Sequence, residues 1–116
     1  MSGSASAAGP IRRGEVWWVN LDPTRGSEIR KIRPAVVLTA NVLNQARRTV
    51  VVVPLSTGPT PRPPIVVATP SAGAESVAVC DQVRAVDKVR LTRRGGQLTE
   101  ADLRAVEDGV RTVLEL

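Results

Sequence analysis

Valine stands at 19 of the 116 positions and isoleucine at 4, against 9 leucines. Side chains branched at Cβ lose rotamer freedom in a helix and pack well on a pleated surface, so this excess directs most of the chain into strands. The bias begins at Ile11. Before it, Met1–Pro10 is Ser, Gly and Ala with no large apolar side chain to bury, which predicts a flexible tail over 1–10 and one domain over 11–116. A chain of this length supports one core and not two.

The strand signals follow in order. Glu15–Asn20 reads as a first strand, closed by the turn residues Asp22, Pro23 and Thr24. A charged, Gly-containing loop over 24–32 leads to a buried strand at Pro34–Thr39, where Pro is tolerated at the start. Asn41–Gln45 suits no more than a short helical turn. Arg48–Leu55 is the most continuous apolar run, the four prolines between Ser56 and Pro64 require an irregular loop, and Ile65–Thr69 is expected to return as its hairpin partner. Ser76–Val86 alternates in part and predicts one long strand, bent or bulged near Asp81 and Gln82. Gly95-Gly96 is expected to break the chain.

The last segment changes period. Leu103, Val106, Val110 and Val113/Leu114 recur at three and four residues, one apolar stripe of a helix that Thr99 caps, with Glu100 and Asp102 in its first turn where the helix dipole favours acids. The fold expected from these signals is mainly β: a small curled sheet with a C-terminal amphipathic helix packed on it.

Composition narrows the chemistry. There is no histidine, no tyrosine and a single cysteine, which excludes imidazole bases, histidine metal sites, phenolic acids and cysteine-rich zinc clusters. No cofactor or metal is expected. Catalysis would have to come from carboxylates, Arg, Lys, Ser, Thr or Cys80, and Cys80 reads as a small core residue because no histidine can activate it. No secretory leader is evident and the longest apolar runs, Val50–Leu55 and Ile65–Ala68, fall far short of the ~20 residues a membrane helix needs, so a cytoplasmic protein with no membrane partner is expected. Residues 1–96 carry a net +8 and residues 97–116 a net −3. A basic body of this kind fits a polyanion such as nucleic acid, or simply an Arg-rich solvated surface.

Two charged groups interrupt the apolar pattern. Glu28 stands five residues before Arg33, which Pro34 places at the start of a strand. From the residue types alone the simpler reading is a solvated loop with a surface ion pair. The chemical reading is an acid/base and phosphate pair, with Arg33 holding a phosphodiester and Glu28 taking the proton of a ribose 2′-hydroxyl. Asp81 and Gln82, followed by Arg84, break the second run, either at a bulge that carries a site or on an exposed edge. Ser56 and Thr57 end a buried strand, where a hydroxyl could donate to a phosphate or merely cap a turn. Trp17 and Trp18 are adjacent in a strand and so point to opposite faces: one is core, the other free to stack a base or fill an interface.

With Arg13-Gly14-Glu15-Val16-Trp17, Leu21-Asp22-Pro23, Gly26-Ser27-Glu28, Arg33-Pro34-Ala35-Val36-Val37-Leu38, Val53-Pro54-Leu55-Ser56 and Cys80-Asp81-Gln82-Val83-Arg84 in this order, the chain resembles the MazF/PemK/Kid toxins of type II toxin–antitoxin systems from Arg13 to its C-terminal helix. The resemblance implies an SH3-like β-barrel with a C-terminal helix, a symmetric homodimer, and metal-independent, sequence-specific cleavage of single-stranded RNA to 2′,3′-cyclic phosphate and 5′-hydroxyl ends. It implies catalytic roles for Arg33, for Glu28 and Asp81 as alternative carboxylates, and for Ser56 where many members have threonine. Val79 stands where the Kid branch has an arginine, which favours Arg33 as the main cation. RNA contacts are expected from Arg25, Ser27, Arg30, Lys31, Thr57, Gln82 and Arg84, with specificity in the loops at 24–32 and 57–63. A MazE-like acidic antitoxin is the implied protein partner. The competing readings are a non-catalytic RNA-binding barrel and a poison of DNA gyrase, since the related CcdB toxins share the barrel.

Overall fold

The computed structural model of the chain describes residues 9–21 and 32–116. Seven strands and two helices follow in the order β1 (Glu15–Asn20), β2 (Ile32–Val37), α1 (Asn41–Ala46), β3 (Thr49–Ser56), β4 (Val66–Ala68), β5 (Val77–Val79), β6 (Arg84–Asp87), β7 (Leu91–Gln97) and α2 (Glu100–Leu114). The strands form one antiparallel sheet in the spatial order β4-β5-β3-β2-β1-β7, with β6 on the same edge of β3 as β5.

The valines explain why the central strands bury both faces. Along β1 to β3 alternate side chains divide between two cores. Trp17, Val19, Ala35, Val37, Val50 and Val52 meet Ile11, Val86 and Leu91 inside the curl of the sheet. Val16, Val36, Val53 and Leu55 face the other way, onto Cys80, Leu98 and Val106, with Leu103, Val110 and Val113 of α2 packed against them. The helical stripe is therefore seated as its period demands, except that Leu114 stays 51% exposed in the last turn. Thr99 caps α2 by accepting from the Asp102 amide at 3.2 Å.

The one long strand expected over Ser76–Val86 is instead two short ones: the 3-10 turn at Cys80–Gln82 interrupts it at the expected place, and β5 and β6 on either side run along one edge of β3. Several expectations need correction. The first is β4, which pairs with β5 (Val66↔Val79, Ala68↔Val77) rather than with β3, because β5 and β6 already occupy that edge of β3. The second is Gly95-Gly96, which lies inside β7 and does not break it: the register against β1 slips there, with Val16 opposite Gly96 and Trp17 opposite Arg94. A Cβ at Gly95 would stand 3.0 Å from Trp18 Nε1, so the glycine lets the strand pass beside the indole. The third concerns only the closure of the barrel: among the described residues no strand pairing joins β4 to β7, so the curled sheet stays open. Between the end strands lies the 3-10 turn Pro70–Ala72, where Ser71 Oγ accepts from the Thr99 amide at 3.1 Å and both its amide and its hydroxyl donate to Asp102. Asn41–Gln45, expected as no more than a short helical turn, is the six-residue helix α1, held by Asn44 Nδ2 donating to Thr39 O at 2.8 Å.

Candidate active site

Ala35 of β2 pairs with Pro54 of β3, and two positions further along each strand stand Arg33 and Ser56. Strand register thus brings together two residues 23 positions apart in sequence. Both line a cleft of about 310 Å³ whose other walls include Trp18, Pro34, Leu55, Thr57, Ser76 and Gly95. Arg33 is exposed and Ser56 half-buried, its Oγ accepting weakly from the Gly58 amide at 3.4 Å.

Trp18 is the free one of the two indoles. Trp17 is fully buried at 0% exposure and donates from Nε1 to Glu15 Oε1 at 2.9 Å, whereas Trp18 lies half-buried on the opposite face with the Arg93 guanidinium 5.1 Å from its ring centre. A cation over one side of an indole fixes its plane, and its apolar surface forms part of the cleft wall. The buried carboxylate of Glu15 also accepts from the Arg12 amide and pairs with Arg94 Nε, both at 2.9 Å, and so is spent on holding β1 to β7.

The other expected site residues fall elsewhere. Asp81 and Gln82 are exposed on the 3-10 turn packed against α2, and Arg84 is exposed on β6 with Nη1 donating to Leu21 O at 3.2 Å; none of the three lines this cleft. Thr57 does line it. Glu28, Arg25, Ser27, Arg30 and Lys31 lie outside the described residues, in the connection that leads directly into Arg33. Cys80 is fully buried between β5 and α2, its thiol pushed up to about 11 by burial first and by the neighbouring Asp81 second, which leaves it protonated and unreactive. The cleft residues that the sequence did not single out for the site are Ser76, Ala72 and Gly95; the connection between β4 and β5 brings the first two there, and the pairing of β7 with β1 brings Gly95.

Among the described residues the cleft presents one cation, hydroxyls and an aromatic face. That combination suits a phosphodiester with an unpaired base beside it. Residues 12–114 match the family described as PemK-like, MazF-like toxin of type II toxin–antitoxin system. Curated relatives include Endoribonuclease MazF9 of Mycobacterium tuberculosis, 32% identical over 91% of this chain and 98% of its own, and Endoribonuclease PemK of Escherichia coli, 35% identical over 78% of this chain and 68% of its own. Among solved structures, a mycobacterial endoribonuclease in complex with its cognate antitoxin superposes with a TM-score of 0.78 at 24% identity, covering 91% of this chain and 96% of that one. MazF in a MazE–MazF structure from Deinococcus radiodurans gives 0.80 at 23% identity, over 92% and 97%. The chain belongs to the PemK/MazF toxin family.

Proposed function

We propose that this protein is a metal-independent endoribonuclease toxin that cuts single-stranded RNA at short sequences, acting as a homodimer in the cytoplasm and neutralised by a MazE-like antitoxin. The observation that carries the proposal is the meeting of Arg33 and Ser56 beside Trp18 in one open cleft, on a chain without histidine. In this mechanism the RNA supplies its own nucleophile. The ribose 2′-oxygen attacks the adjacent phosphorus, its proton passing to a carboxylate; the P–O5′ bond then breaks, leaving a 2′,3′-cyclic phosphate and, after proton uptake, a 5′-hydroxyl. Arg33 neutralises the charge that gathers on the phosphorane oxygens, and Ser56 donates to one of them. Glu28, five residues before Arg33, is the carboxylate nearest to that arginine in sequence, with Asp81 the alternative base. Arg25, Ser27, Arg30, Lys31, Thr57, Gln82 and Arg84 hold the backbone and bases on either side. An acidic, partly disordered antitoxin segment would compete for the same basic surface.

The test is cleavage of long single-stranded transcripts in EDTA by wild type and by Arg33→Ala, with 5′ ends mapped. Cuts at a shared short sequence, resistant to EDTA and lost in Arg33→Ala while RNA still binds, are the expected result. Binding without cleavage in either protein would instead make this an RNA-binding domain, and intact RNA with impaired supercoiling would point to gyrase.

A further inference from the structure

A second cleft, of about 280 Å³, adjoins the first and shares Thr57 and Ser76 with it. Its walls are the flat or apolar residues Pro59, Pro61, Ala68 and Val77, and at its rim stand the hydroxyl of Thr60 and one carboxylate, Glu75. Among the described residues Glu75 has no hydrogen-bond or ion-pair partner, and it is the only acidic residue lining either cleft. The backbone that carries it is fixed. Next to it, buried Ser76 shares a hydroxyl bond of 3.0 Å with buried Thr69, its amide donates to Gly73 O at 3.0 Å, and its carbonyl accepts from the Thr69 amide at 2.9 Å.

Glu75 is exposed, so water solvates it in the free protein; a polyanion seated beside it is repelled unless that ligand presents N–H donors to the carboxylate. Unpaired bases present such donors on their Watson–Crick edges. A carboxylate has two acceptor oxygens and no donor, so it discriminates among the four. Guanine alone places two donors side by side, N1–H and the N2 amino group. Adenine and cytosine set their amino group beside a ring nitrogen that accepts and would repel the second oxygen, and uracil flanks its one N–H with carbonyls. We infer that Glu75 reads one base of the RNA in this second cleft, next to the cleaved phosphodiester, and that the base is guanine. The assignment rests on the ribonuclease reading above and adds a specificity-determining residue to it.

The experiment is cleavage of a random-sequence single-stranded RNA pool by wild type, Glu75→Gln and Glu75→Ala, with product 5′ ends sequenced and thermal melts to confirm that each variant is folded. Wild-type cut sites carry guanine at one fixed position, and both variants lose that preference by about tenfold or more at that position while keeping the others, the scale of one bidentate base contact. A defined substrate with inosine for that guanine, which removes only the N2 amino group, is cut more slowly than the guanine substrate by wild type and equally by Glu75→Ala. Wild-type sites without a fixed guanine, or a guanine preference that survives in both variants, overturn the assignment. So does an effect of the variants confined to binding of an antitoxin peptide, which would mean that Glu75 meets a basic side chain. A wild type that cuts no RNA defeats the ribonuclease reading itself, an outcome distinct from cleavage with unaltered preference.

Discussion

Gly109 lies in the middle of α2, where helix propensity alone says that alanine should be better by about 1 kcal/mol. Its surroundings say the opposite. A Cβ built there would stand 2.5 Å from Cys80 Sγ, 2.6 Å from the carbonyl oxygen of Pro64 and 3.1 Å from Cys80 Cβ. None of these is the mobile end of a long side chain: Cys80 is fully buried and the Pro64 oxygen is backbone. To admit the methyl group the helix must lift from the Cys80–Gln82 turn and from the chain entering β4, loosening the contacts of Val106 and its neighbours, and overpacking of this kind costs typically 1–3 kcal/mol. With two approaches under 3.0 Å the upper part of that range applies, so Gly109→Ala loses about 1–2 kcal/mol net and melts about 5–10 °C lower. Urea denaturation of Gly109→Ala, Cys80→Ala and the double variant supplies the check. Removing the sulfur leaves the Pro64 oxygen in place, so the penalty of Gly109→Ala shrinks by about half in the Cys80→Ala background without vanishing. A Gly109→Ala protein as stable as wild type would refute this close seating of α2 on the sheet.

Glu15→Ala removes the acceptor of the fully buried Trp17 Nε1 and of the Arg12 amide together with the partner of Arg94; a loss of about 2–4 kcal/mol in chemical denaturation is expected, and a loss below 1 would mean that water replaces the carboxylate. Thr99→Ala removes the α2 cap and should cost about 1 kcal/mol, which Thr99→Ser largely restores in the same melt. The Cys80 thiol is raised from 9.0 to about 11 in the folded state, so the unfolded chain releases that proton first and stability falls as pH rises through the window from 9 to 11. The thiol contributes about 2–3 kcal/mol of that loss, read as the difference between wild type and Cys80→Ala, and parallel pH profiles for the two would contradict it.

Much of the architecture could be read along the chain because it is written in local chemistry. The β-branched runs at Glu15–Asn20 and Arg48–Leu55 became strands within a residue or so, and the Thr99 cap and the Leu103, Val106, Val110 stripe became a seated helix. β7 was hidden because Leu91-Thr-Arg-Arg-Gly-Gly-Gln97 has no apolar alternation; only its pairing with β1 makes it a strand. The partner of β4 was hidden for a related reason. A hairpin is the default for neighbouring runs, but the edge of β3 was taken by strands later in sequence.

The site divides in the same way. By itself the sequence determined which chemistry is open: with no histidine, no tyrosine and one cysteine that nothing activates, arginine, lysine, carboxylate and hydroxyl are the groups that remain. It also placed Arg33 at the head of a strand and Ser56 at the foot of another, because proline and β-branched patterning act over a few residues. Only the tertiary structure decided that these two share a cleft, that Trp18 and not Trp17 faces it, and that Asp81 does not line it. Those are matters of register and curl across strands far apart in sequence, set by packing that no single stretch of chain contains.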